Sequence, residues 1–84
     1  MSELTTLRNI GSELDKKLKF VGITTAEELK QAGSENAFIR LKAHYPNVCL
    51  VHLYVIEGAI TDTEYNQLDD DVKRRLKGIS DRFK

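Results

Sequence analysis

The 84-residue sequence has no tryptophan, one proline, one cysteine and no excess of charge of either sign. A lone cysteine cannot close an internal disulfide, which suits a reducing compartment. Thirteen Lys and Arg residues balance thirteen Asp and Glu residues, whereas a nucleic-acid-binding domain of this size is usually clearly basic. No apolar run approaches the roughly 20 residues that a membrane-spanning helix needs. Met1 is followed by Ser-Glu-Leu-Thr-Thr, which has neither the basic start nor the apolar middle of a secretory signal. The expected setting is therefore the cytoplasm, with no membrane contact. What is present reads as globular. The chain is 40% hydrophobic and 31% charged, without a low-complexity run, and its length allows one domain over residues 1–84.

The apolar residues recur at helical rather than strand spacing almost throughout, so the expected fold is all-α, a compact domain of five helices. Leu4 and Leu7 suit a short first turn that ends at Gly11. Ser12 is the expected N-cap of the next helix, in which Leu14 and Leu18 share a face and which Gly22 ends. Thr25-Ala26-Glu27-Glu28 reads as a capping box opening a short helix that stops at Gly33. Ser34 then caps a helix carrying Ala37, Phe38, Leu41 and Tyr45 inward, and Pro46 closes it. Asn47 caps a fourth helix from Val48 to about Ile60, apolar on nearly every side and so expected at the centre. Its β-branched residues also permit a buried strand over Val48–Ile56, but the apolar pattern continues past usual strand length. Gly58 inside that helix costs ~1 kcal/mol relative to Ala, which suggests that another backbone comes close. After a connection over Thr61–Leu68, Asp69 caps a last helix. Its stripe is Val72, Leu76, Ile79 and Phe83, acidic at the start and basic after it.

Residues able to carry chemistry are few. Cys49, His44 and His52 are the only thiol and imidazoles, and they cannot complete a zinc site. Cys49 reads most simply as a small core residue, and His52 as a hydrogen-bonded core histidine or one at the helix edge. A small enzyme built on Cys49 and His52 is the weakest of the functional readings, because no acid partner for the imidazole is visible. Glu57 is either solvent-facing or partly buried, and burial requires donors such as backbone amides or a lysine. Asp69-Asp70-Asp71 reads as an N-terminal charge run rather than a metal cluster. The sequence holds no P-loop, dinucleotide fingerprint or nucleophile elbow, so no enzyme, cofactor, metal or small-molecule substrate is expected. Two glycine turns remain, Arg8-Asn9-Ile10-Gly11 and Phe20-Val21-Gly22-Ile23. Each sets fresh backbone amides before a helix, a geometry that suits a phosphate oxygen as well as an ordinary helix cap.

Taken as a set, several runs resemble the C-terminal domain of the TfoX (Sxy) family. They are Leu7-Arg8-Asn9-Ile10-Gly11, Leu18, Val21-Gly22-Ile23-Thr24-Thr25-Ala26-Glu27-Glu28-Leu29, Ala37, Arg40-Leu41-Lys42, Leu53-Tyr54, Glu57-Gly58-Ala59-Ile60, Leu68 and Lys73. The likeness spans about residues 4–78. It implies an all-helical domain related to helix-hairpin-helix folds. In two-domain relatives that domain follows an N-terminal domain in regulators of competence and DNA uptake. This sequence has no counterpart of that N-terminal domain and reads as a free-standing C-terminal module. Compared with the phosphate-gripping hairpin, Asn9 replaces the first glycine, while Ser12 and Glu13 stand where Pro and Lys are usual.

The leading expectation is a non-enzymatic interaction module binding a protein partner or a second copy of itself. Its surfaces would be the glycine turns and the basic face of the last helix. The alternative is weak, non-specific nucleic-acid binding at Arg8, Asn9, Gly11, Lys16, Lys17 and Gly22, with strong salt dependence.

Overall fold

A computed structural model describes residues 7 and 9–82. The expected first turn lies mostly outside these residues, as do Arg8 and Phe83. The described chain contains no strand, and none of its helices is long and apolar enough to cross a membrane. The helix α1 spans Ser12–Phe20, α2 Ala26–His44, α3 Leu50–Thr61 and α4 Asp70–Asp81, with a 3₁₀ turn at Tyr65–Gln67 between the last two. Four α-helical elements are thus delimited among the described residues, with α2 counted as one. The two segments expected on either side of Gly33 are both helical and meet there at a kink within α2. Gly33 breaks its helical path with φ 81° and ψ 163°, a backbone conformation that costs glycine least.

Each helix end has a physical cause. Gly11, not Ser12, is the N-cap of α1: its backbone is extended and its carbonyl accepts from the Asp15 amide at 3.0 Å. Ser12 is therefore already helical. At the other end Gly22 takes φ 90°. The Ile23 amide reaches the Leu18 carbonyl at 2.9 Å, and the Gly22 amide reaches Lys19 at 3.1 Å. These two bonds, with Leu18 and Ile23 both buried, form a Schellman cap. At the start of α2 the Thr25 hydroxyl accepts from the Glu28 amide at 3.0 Å. The return arm is broader than expected: the Glu28 carboxylate takes the amide and hydroxyl of Thr24, at 3.1 and 2.6 Å, with a lesser contribution from Thr25. Those bonds hold its pKa below the usual carboxylate value.

Pro46 closes α2 as expected. The next helix begins at Leu50 instead of Val48, because its N-cap is Cys49 and not Asn47. The intervening turn is held by Lys42, whose ammonium donates to the carbonyls of Pro46 and Val48 at 2.8 and 2.7 Å. The helix α3 packs against α2, α4 and the 3₁₀ turn, while α1 lies on α2. The core is built from Leu18 of α1, Leu29, Phe38 and Leu41 of α2, Leu53 and Ile56 of α3, and Leu76 of α4, all fully buried. The helix α3 is not buried on all sides as expected, since Val51 is 53% exposed and Leu50, Tyr54 and Val55 are half-buried. On α4, Leu76 and Ile79 are buried and Val72 is half-buried. Asp69 occupies the N-cap position of α4 through its carbonyl, which accepts from the Lys73 amide at 2.9 Å, and not through its side chain.

Candidate functional site

The most informative feature of α3 is the run Glu57-Gly58-Ala59. Glu57 is buried, and its two carboxylate oxygens join three helices. Oε1 accepts from the Ser34 hydroxyl at 2.7 Å, beside the break in α2, and Oε2 accepts from Arg75 of α4 at 3.1 Å. The donors are thus a hydroxyl and an arginine, not hairpin amides or a lysine. Ser34 uses its hydroxyl for this tie rather than for a helix cap. A buried carboxylate satisfied in this way is costly to disturb, because removing one partner leaves the charge incompletely solvated.

Gly58 sits where the connection after α3 folds back. A Cβ at this position would meet the Thr63 carbonyl oxygen and lie 2.6 Å from Asn9 Nδ2. The expected close approach of backbone is therefore present. Asn9 is drawn into the same junction: it holds a left-handed backbone at φ 73°, and its side-chain amide donates to the Thr63 carbonyl at 3.1 Å. Asn9 thus ties the turn before α1 to the loop after α3.

Beside this junction the N-terminal part of α1 and the exposed side of α3 leave a groove of about 280 Å³, lined by Asn9, Gly11, Glu13, Leu14, Lys17, Val51, His52 and Val55. It collects Asn9, Gly11, Lys17 and His52 from the sequence-derived candidates. Gly22 lines a different depression, with Glu28, Asn36 and Arg40, so the two glycine turns do not converge on one site. Lys16 is exposed on α1 and lines neither. The groove is apolar at Leu14, Val51 and Val55, with charges of both signs at Glu13 and Lys17. Nothing comes within 4 Å of where a Gly11 Cβ would stand, so the start of α1 is open.

His52 forms one edge of the groove and caps α3. Its Nδ1 accepts from the Cys49 amide at 3.1 Å, and Cys49 Sγ lies 3.5 Å from the same nitrogen. Burial holds the imidazole pKa below the ordinary histidine value, and the nearby Lys17 and Lys42 charges push it the same way. The neutral ring suits its role, since Nδ1 accepts only when unprotonated. Cys49 itself is exposed, contrary to the core position expected for it, because it is the half-in residue at the helix start. No cluster of three or more His, Cys, Asp or Glu residues suited to a metal occurs among the described residues.

The basic face of α4 is less free than its sequence suggests. Arg75 pairs with Glu57 at 3.1 Å, Arg74 with Asp71 at 3.2 Å, and Arg82 with Glu35 of α2 at 2.7 Å. The exposed apolar residue of the groove, Val51, was hidden in the sequence by its uniformly apolar neighbours. Only its place two residues before Leu53 and five before Ile56, on the side of the helix opposite that buried face, distinguishes it.

The family profile described as the TfoX C-terminal domain matches residues 1–79. No curated protein matches the chain. Solved structures do, among them two crystal forms of proteins from Listeria monocytogenes. A triclinic form of an uncharacterized protein is 38% identical, with a TM-score of 0.92 over 94% of this chain and 90% of that one. A tetragonal form of a protein of unknown function is 37% identical, with a TM-score of 0.93 over 96% of this chain and 99% of that one.

Proposed function

The chain belongs to the TfoX C-terminal domain family, and on that footing we propose a non-enzymatic interaction module. Its working surface is the α1–α3 groove, and its partner is a protein, either another chain or a second copy of itself. The observation that carries this reading is Val51, 53% exposed on the most apolar helix and continuous with Leu14 and Val55 in an open groove. Apolar surface left open beside rim charges of both signs suits a protein surface better than a polyanion. Family membership supplies the wider expectation: a helical domain related to helix-hairpin-helix folds, of the kind that two-domain competence regulators carry, acting in the cytoplasm.

A second reading is retained for the glycine turns, where the open start of α1 at Gly11 favours backbone-directed contact with phosphate. Glu13 stands in the same groove and opposes it, and Asn9 is already engaged with Thr63. These two facts favour the protein reading.

The test is the size of the complexes that the tagged chain forms in extracts of the cells that make it. Val51→Asp changes a half-exposed position without touching the core. It should collapse those complexes to the monomer while the thermal melt stays within a few degrees of the parent. Identical complexes from the parent and Val51→Asp would overturn the reading.

A further inference from the structure

The charges sum to zero but are segregated along the chain. Lys16, Lys17 and Lys19 are followed by no acidic residue until Glu27, and between Glu35 and Glu57 there are Arg40, Lys42 and two histidines but no Asp or Glu. The fold joins these two basic stretches, because α1 and α2 finish side by side. The Phe20 ring lies 5.2 Å from the His44 ring and 5.8 Å from the Tyr45 ring, at 83° and 70° to them. Lys17 Nζ stands 5.4 Å from the centre of the Tyr45 ring. None of these rings is stacked flat on another. Phe20 is 65% exposed, the most exposed of the large hydrophobic residues among those described.

An exposed phenylalanine adds little to a core, and a cluster of rings adds little to a purely electrostatic contact. Exposed rings beside lysines match one chemistry closely: bases stack on ring faces while ammonium groups follow the phosphates. A duplex hides its base faces, so the rings would gain nothing from it. Two carboxylates lie near these lysines on α1: Asp15 is paired with Lys19 at 3.2 Å, and Glu13, one turn before Lys16 and Lys17, stands in the Val51 groove. The two helix C-termini oppose phosphate through their dipoles, but the Schellman cap at Gly22 satisfies the last carbonyls of α1. We propose that Phe20, His44 and Tyr45, with Lys16, Lys17 and Lys19, form a binding platform for single-stranded nucleic acid. This surface takes Phe20 from the second glycine turn but neither turn glycine, and it shares only Lys17 with the Val51 groove.

The probe is fluorescent oligothymidylate, followed by anisotropy at about 50 and 200 mM salt. Three lysines on a single strand give a slope of log affinity against log salt of about −2. Duplex DNA of equal length should bind several-fold more weakly. Phe20→Ala should cost roughly 5- to 150-fold in affinity, the range for losing one base–aromatic stack. Because Phe20 is so exposed, the variant's melt should match the parent's, and Lys16→Glu with Lys19→Glu provides an independent loss of binding. Val51→Asp should leave oligothymidylate binding unchanged, so that failure here and failure of the groove reading are told apart. Three results would overturn the proposal: no binding at the lower salt, equal affinity for Phe20→Ala, or equal competition by polyglutamate, which would assign the patch to an acidic protein segment.

Discussion

Replacing Gly58 by alanine should destabilise this protein, although alanine is the better helix former by about 1 kcal/mol. The reason is local. The new Cβ would meet the Thr63 carbonyl, which is backbone, and approach Asn9 Nδ2 to 2.6 Å. Forcing a methyl into such a contact costs about 1–3 kcal/mol. Displacing the Asn9 amide from Thr63 loses a further bond, worth roughly 0.5–1.5 kcal/mol. Against the propensity gain, the net loss is about 1–3 kcal/mol, and each kcal/mol lowers the melting temperature of a domain this size by about 4–8 °C. Gly78 is the internal control. It lies in α4, is exposed, and has nothing within 4 Å of the equivalent Cβ position. Gly78→Ala should therefore stabilise by about 1 kcal/mol. Urea unfolding followed by circular dichroism measures both variants. If Gly58→Ala gained as much as Gly78→Ala, the close packing of the α3–Thr63 junction would be wrong.

Three further changes probe the rest of the frame. Leu53→Ala should cost about 2–5 kcal/mol, since Leu53 is fully buried at the centre of α3; unchanged unfolding would misplace the core. Glu57→Gln should cost about 1–3 kcal/mol by weakening the ties to Ser34 and Arg75. Its effect should shrink in a Ser34→Ala background, and full additivity in that double-mutant cycle would deny the coupling. His52 should make stability fall on the acid side. Its folded pKa is depressed, so its contribution is complete above the unfolded value of about 6.5 and is lost as pH drops from there through the lower folded value. His52→Gln keeps an acceptor for the Cys49 amide at every pH, so its advantage over the parent should grow as the solution is acidified. Parallel stability curves for the two proteins would contradict the capping role.

Much of the frame was legible in the sequence because it depends on local rules. Gly22, Thr25, Gly33 and Pro46 mark ends or breaks for reasons confined to a few neighbouring residues, and the structure uses all four. Leu14, Leu18, Phe38, Leu41, Leu76 and Ile79 announce their buried faces by spacing alone. The misreadings share a different cause. Ser12, Ser34 and Asn47 are all good caps by residue type, yet Gly11 and Cys49 hold the cap positions at two of these starts. Ser34 instead meets a carboxylate 23 positions away. Cys49 is exposed because His52, one turn on, sets where α3 begins. The candidate site was less legible still. Asn9 reads as a phosphate contact or a turn residue, but its partner is Thr63, 54 positions along the chain. The exposure of Phe20 and Val51 depends on which helix covers which face, and no local pattern states that.

The central claim is that the α1–α3 groove receives a protein. A photo-crosslinking residue at position 51, compared with one at the exposed position 30 on α2 outside the groove, tests it most directly. The account predicts a discrete protein adduct from position 51, with a second copy or one other chain, and none of that mass from position 30. The same adducts from both positions, or none from position 51 in cells that carry the natural partners, would contradict it.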